Sequence, residues 1–166
     1  MKDKRPPNIV GDGLMALINI TLPDGTVNEY ASGITCAEVV TDVLGRKHGC
    51  LAANVDGIQR DMSFEIEQSC SIEGILSQSD EGIHILRHSA AHLLAQAVME
   101  LYPGAKPTIG PAIERGFYYD FAMDPITESD LKPIQKKMQE LARKNFTVER
   151  VELSDDELQQ HFADNP

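Results

Sequence analysis

Basic residues are in short supply: the 166-residue chain carries 15 Lys and Arg against 26 Asp and Glu, a formal net charge of −11. Affinity for nucleic acid comes largely from neutralised phosphates. This balance therefore excludes a general nucleic-acid binder, leaves no expectation of a DNA partner, and allows at most a local contact with RNA. Apolar runs are short as well. No segment reaches the roughly 18 consecutive apolar residues of a membrane span, and Met1-Lys2-Asp3-Lys4-Arg5-Pro6-Pro7 lacks the apolar core of a signal peptide. The expected location is the cytoplasm, without a membrane partner.

Cysteine is scarce too. Cys36, Cys50 and Cys70 are odd in number, show no Cys-x-x-Cys spacing and all lie in the first half. They read as small buried or half-buried hydrophobes in a reducing compartment, not as a disulfide framework or a zinc site. What the chain does have is 42% apolar residues, enough for one ordinary domain or two small ones.

Residues 1–13 combine charge, Pro6-Pro7 and two glycines and read as a flexible leader. From Leu14, the alternation of Ala16, Ile18, Ile20 and Leu22 against Met15, Leu17, Asn19 and Thr21 predicts a strand. Pro23-Asp24-Gly25 then turns it into a second strand, Thr26 to Tyr30. Thr35 with Glu38 forms a capping box, apolar residues follow, and Gly45 supplies a stop, which together predict a short helix. Strands are expected at Leu51–Val55, Ile58–Met62 and Ser71–Leu76, with Asp56-Gly57 turning between the first two. Hairpin, helix and further strands over residues 14–78 make a β-grasp pattern.

Ser79 or Asp80 can cap a longer helix that ends near Tyr102, before Pro103-Gly104. Its apolar spacing (Ile83, Leu86, Leu93, Leu94, Ala97, Val98, Leu101) is that of an amphipathic helix. Phe117–Met123 alternates as a strand. Thr127 and Asp130 open another helix through Lys144, although Pro133 leaves its start open between Glu128 and Lys132. Lys132, Lys136, Lys137, Arg143 and Lys144 are expected on a solvated face. Phe146–Leu153 reads as a strand, and Ser154 with Glu157 caps a last helix.

The chemistry concentrates between His84 and Asp120. His88 and His92 stand four residues apart on the long helix, so both imidazoles leave the same face, and His84 continues the row. Paired imidazoles can hold a water, pass a proton or bind a metal; the plain alternative is ordinary half-buried helix residues. Small neighbours (Ser89, Ala90, Ala91, Ala95) permit close approach by a ligand. Ser89 excludes the zinc-protease His-Glu-x-x-His helix, since it offers no carboxylate base. In Gly116-Phe117-Tyr118-Tyr119-Asp120, alternation must send the two tyrosines to opposite sides, one able to line a pocket while the other packs.

The block Gly82–Asp120, with Ile109-Gly110-Pro111 and the Gly-Phe-Tyr-Tyr-Asp segment, closely resembles the start of the editing domain of threonyl-tRNA synthetases. The residues before it, with Leu22-Pro23-Asp24-Gly25 and Asn54-Val55-Asp56-Gly57, resemble the ubiquitin-like TGS domain found at the front of the same family. The resemblance implies an α+β chain: a leader at 1–13, a TGS β-grasp domain at 14–78, and the first part of an editing domain at 79–166. There the histidine helix would pack across a mostly antiparallel sheet. It also implies hydrolysis of seryl-tRNA(Thr), with His88 and His92 as catalytic residues and Gly116, Phe117, Tyr118 and above all Tyr119 lining the substrate pocket.

The family's editing site is completed by a later Cys-x-x-x-His motif and a lysine, and no Cys follows Cys70 here. The motifs for ATP and the zinc-bearing aminoacylation core are absent as well, so no cofactor or metal is expected in this chain. The implied partner is the acceptor end of tRNA(Thr), bound weakly by these residues alone. Two other readings stand beside this one. One is a non-catalytic tRNA- or partner-binding module; the other is a zinc site on His84, His88 and His92, which three histidines in one helical row are poorly disposed to form.

Overall fold

Strand β1 (Leu17–Thr21) buries Ile18 and Ile20 and exposes Leu17, Asn19 and Thr21, as its alternation requires. It pairs antiparallel with β2 (Val27–Ala31) across a turn in which the Asp24 carboxylate accepts the Thr26 amide at 2.9 Å. After the two-residue β3 (Ile34–Thr35) comes α1 (Cys36–Leu44), whose predicted capping box is complete. Thr35 Oγ1 accepts the Glu38 amide, and the Glu38 carboxylate accepts the Thr35 amide at 2.9 Å. Strands β4 (Cys50–Val55) and β5 (Ile58–Asp61) form the second hairpin; β6 (Glu65–Ile66) and β7 (Cys70–Leu76) follow. The chain is presented here as a computed structural model that describes residues 16–146, 148, 151–161 and 163.

These strands assemble as β2-β1-β7-β4-β5, with β1 and β7 parallel and the other neighbours antiparallel; β3 pairs separately with β6. Ile18, Ile20, Val55 and Ile72 from the sheet meet Cys36, Val39 and Val40 from α1 and Ile66 from β6 in one core. Fully burying a side chain of this size contributes about 1.5–3 kcal/mol, so this cluster accounts for the unit's cohesion. Cys36 lies within it, where burial raises its thiol to about 11. Cys50 and Cys70 are half-buried, and all three thiols are free. The sequence reading located β2, β4, β5 and β7 to within a residue; the strand expected from Leu14 is represented among the described residues by Leu17–Thr21, and the β3–β6 pair was missed.

The chain divides into two compact units after Gly82. Helix α2 (Asp80–Leu101) starts at the end of the first. Ser79 Oγ accepts the Gly82 amide at 3.0 Å and donates to the Leu76 carbonyl at 2.8 Å, so Ser79 is the cap. A Cβ at Gly82 would stand 1.9 Å from that same carbonyl, which makes glycine obligatory where the first turn lies against the end of β7.

In the second unit, α2 buries Ala91, Ala95, Ala97 and Val98, while Leu86 is 47% exposed. The buried stripe is therefore built on small residues, and the expectation that Leu86 belongs to it is corrected. Four two-residue strands follow: β8 (Lys106–Pro107), β9 (Ala112–Ile113), β10 (Gly116–Phe117) and β11 (Phe121–Ala122). β9 pairs with β10 and β8 with β11, both antiparallel. The expected continuous strand Phe117–Met123 is thus two strands, because the chain changes partner at Tyr118-Tyr119. Among the described residues the expected sheet under the histidine helix is represented by these two short ladders.

Helix α3 (Glu128–Lys144) starts at Glu128, not Lys132. The Asp130 carboxylate accepts both the amide and the hydroxyl of Thr127 at 2.7 Å. Pro133 is tolerated because the helix carbonyl it leaves unpaired, that of Ser129, is at an exposed position. Ile134 and Leu141 are buried, and Lys132, Lys136, Arg143 and Lys144 are exposed as expected. Lys137 instead is half-buried and pairs with Glu100 of α2 at 3.3 Å. Tyr102 Oη donates to Asp130 at 2.8 Å, joining the end of α2 to the cap of α3. Residues 146, 148 and 151–153 are not in a strand, which corrects that expectation for the described part of 146–153; the rest of it lies outside the described residues. Ser154 caps α4 (Asp155–His161) through Glu157, as predicted. The leader and the start of the first predicted strand, Leu14 and Met15, lie outside the described residues.

Candidate functional site

Two side-chain groups make up the candidate site, and each arises from local periodicity. On α2 the four-residue interval brings His88 and His92 together, with Nε2 to Nε2 at 3.0 Å and ring centroids 4.6 Å apart at 80°. A contact of that length between two ring nitrogens requires one to donate and the other to accept. One imidazole thus carries its proton on Nε2, and the other, carrying its proton on Nδ1, offers a bare Nε2. When the donor ring is neutral, its Nδ1 carries a lone pair, a basic nitrogen beside an internal proton donor. Both residues are exposed, so water has access to them. His84, also exposed, continues the row, and among the described residues no hydrogen bond or ring contact joins it to the pair.

Arg87, beside His88, was passed over in the sequence reading. Its Nη1 donates to the Ile113 carbonyl at 3.2 Å, tying the histidine-bearing turn of α2 to the β9–β10 hairpin. Nothing local in the sequence announces a bond spanning that many residues.

The second group is aromatic. Tyr119 and Phe121, two residues apart in extended chain, stack at 4.9 Å and 25°. Between them Asp120 continues the ladder: its amide donates to the Ile109 carbonyl at 2.9 Å, and its carbonyl accepts the Thr108 amide at 3.0 Å. Those bonds lay Tyr119 on Gly110, where a Cβ would fall 2.1 Å from the ring. Tyr118 is 47% exposed and Tyr119 half-buried, so the tyrosine that the resemblance assigns to the pocket is the more covered of the two, and the break between β10 and β11, not strand alternation, sets their difference. Gly116 and Phe117 are half-buried in β10. Phe121 was also passed over, although its place two residues beyond Tyr119 is a legible signal for a shared face.

The structure therefore brings His88 to His92, and Tyr119 to Phe121 and Gly110. Among the described residues no hydrogen bond or ring contact joins the imidazole pair to Tyr119, and no group of three or more His, Cys, Asp or Glu has the arrangement of a metal site. No helix among them is long and apolar enough to cross a membrane.

No protein-family model matches the chain. It is 47% identical over 151 residues to the threonine-tRNA ligase of Pelobacter propionicus, a span covering 90% of this chain and 24% of that protein. The corresponding figures are 49% over 145 residues for the ligase of Saccharophagus degradans, with 86% and 23% covered. For Symbiobacterium thermophilum they are 38% over 153 residues, with 91% and 24% covered. Over this span the chain is homologous to threonine-tRNA ligases. It spans about a quarter of the length of the curated relatives it matches.

Proposed function

We propose that this chain is the part of a threonine-tRNA ligase that holds a TGS domain and the leading half of the site for hydrolysing seryl-tRNA(Thr). Threonine and serine differ by one methyl group, and a pocket sized for the larger side chain cannot refuse the smaller. One methyl supplies only roughly 1–3 kcal/mol of discrimination, so accurate charging calls for a second, hydrolytic site. Such a site needs a positioned water, a proton acceptor and a stabiliser for the developing oxyanion.

The observation that carries the reading is the exposed imidazole pair with its Nε2 atoms at 3.0 Å. The free Nδ1 of the donor ring takes a proton from the attacking water, or orients that water, while the second imidazole reaches the ribose hydroxyls of the terminal adenosine. Tyr119 offers its hydroxyl to the seryl group, with Gly116 and Phe117 of β10 close by in the chain. The Cys-x-x-x-His motif that completes the family's site is not found within these residues. Transfer of threonine to tRNA, with its ATP and zinc, is the work of the remaining length of the relatives. The partner is the acceptor end of tRNA(Thr), met in the cytoplasm.

Adding a non-hydrolysable 3′-serylamino-adenosine to the isotopically labelled chain tests the reading directly. The ring resonances of His88, His92 and Tyr119 are expected to move together and saturably, and His88→Ala to weaken binding about tenfold, the loss of one good polar contact. Saturable binding of tRNA that leaves all three rings unmoved would instead make the chain a non-catalytic binding module.

A further inference from the structure

The mechanism above uses Tyr119 but gives no role to the residue beneath it. An alanine methyl at Gly110 would lie 2.1 Å from Tyr119 Cδ2, 2.2 Å from Cε2 and 2.8 Å from Cγ. Those atoms run along one side of a rigid ring, starting where it joins the chain, so no flexible tip can yield. Tyr119 has little freedom to retreat. Its ring is stacked on Phe121, and the next residue is fixed by backbone bonds from Asp120 to Ile109 and Thr108. Gly110 needs no unusual backbone angle, since its φ lies outside the left-handed region. What it contributes is the missing side chain.

We propose that Gly110 is a positioning residue: its bare Cα is the seat on which the Tyr119 ring lies flat against Phe121, and it thereby sets where the Tyr119 hydroxyl meets the aminoacyl group. With its face committed to this packing, Tyr119 presents only its outer edge and hydroxyl to a ligand. It acts as a fixed wall, not as an adaptable lid. The functional half of this inference rests on Tyr119 lining the seryl pocket; the geometric half stands without it.

The test uses the whole chain, the 3′-serylamino-adenosine probe, and four variants: Gly110→Ala, Tyr119→Phe, Tyr119→Leu and the Gly110→Ala/Tyr119→Leu double. Cross-relaxation between the Tyr119 and Phe121 rings is read without ligand, and the dissociation constant with it. Gly110→Ala is expected to abolish the ring contact and weaken binding about tenfold, leaving the amide spectrum of residues 16–82 unchanged. Tyr119→Phe should keep the ring contact and lose only affinity. In the Tyr119→Leu background the alanine should change affinity less than about twofold, because its effect runs through the ring it displaces. A Gly110→Ala chain that keeps both contact and affinity overturns the inference. So does an equal loss in the Leu background, which would make Gly110 act through its own backbone. If the parent chain fails to bind the probe, the seryl-pocket reading falls, and the ring contact alone decides whether Gly110 seats Tyr119.

Discussion

The two units reach stability by different means. In the first, branched side chains from a five-stranded sheet close on one helix, and Ile18, Ile20, Val39, Val40, Ile66 and Ile72 are all at most 4% exposed. In the second, the buried apolar positions among the described residues are Ala91, Ala95, Ala97, Val98, Ile134 and Leu141, and no strand exceeds two residues. Ile109, Ile113, Leu131, Phe146 and Leu158 remain well exposed. A two-residue ladder holds few backbone bonds, and an alanine buries little area. The candidate site thus lies in the part of the chain with the weaker local cohesion, where ligand-binding segments are ordinarily found. Ala91, Ala95 and Ala97 on α2 are themselves covered, so they let neighbouring segments approach the helix closely while each buries little area.

Matched core truncations should expose this contrast most strongly. Ile20→Ala, at a fully buried centre, is expected to cost about 3–4 kcal/mol, because the sheet and helix around it cannot collapse into the void. Val98→Ala removes two methyls from a stripe of alanines and should cost about 2 kcal/mol. Urea unfolding followed at assigned amides of each unit measures both. Equal losses, or a loss at Val98 larger than at Ile20, would mean that the second unit is as tightly built as the first.

The same contrast explains what could be read from sequence. The first unit follows short-range rules: alternation gives β1, Thr35 with Glu38 and Gly45 bound α1, and Asp56-Gly57 separates β4 from β5. Only the β3–β6 pair escaped, since nothing within two residues of Ile34 announces Ile66 as its partner. In the second unit the helices were legible for the same reason, and the imidazole pair followed from helical spacing alone. The strands were not. Phe117–Met123 alternates perfectly well, but its division into β10 and β11 is decided by where Ala112-Ile113 and Lys106-Pro107 lie. Likewise, the α2 periodicity identified a helix without saying that its alanines, not Leu86, would be covered. Gly110 under Tyr119 and Arg87 on the Ile113 carbonyl are tertiary facts of the same kind.

Helix capping offers the finest comparison, because both units use the same device in different settings. The Thr35 amide and hydroxyl hydrogen-bond the Glu38 carboxylate and hold it below its ordinary 4.5; the Ser154 hydroxyl and amide lower Glu157 in the same way. A carboxyl group whose folded value is depressed contributes stability that is complete above its ordinary value and fades as pH falls through the folded one. The first unit should therefore lose stability in acid below about 4.5 partly through Glu38. Thr35→Ala should cost it about 1 kcal/mol at neutral pH and flatten that acid slope. Helix α4 has no buried residue, so its cap stabilises only local helix. Ser154→Ala should accordingly speed amide exchange within Asp155–His161 and leave the unfolding midpoint of either unit where it was. Urea midpoints at pH 7 and pH 4, with exchange rates for α4, separate the two cases. A shift of the global midpoint by Ser154→Ala would mean that α4 is packed into the second unit more firmly than its exposure allows.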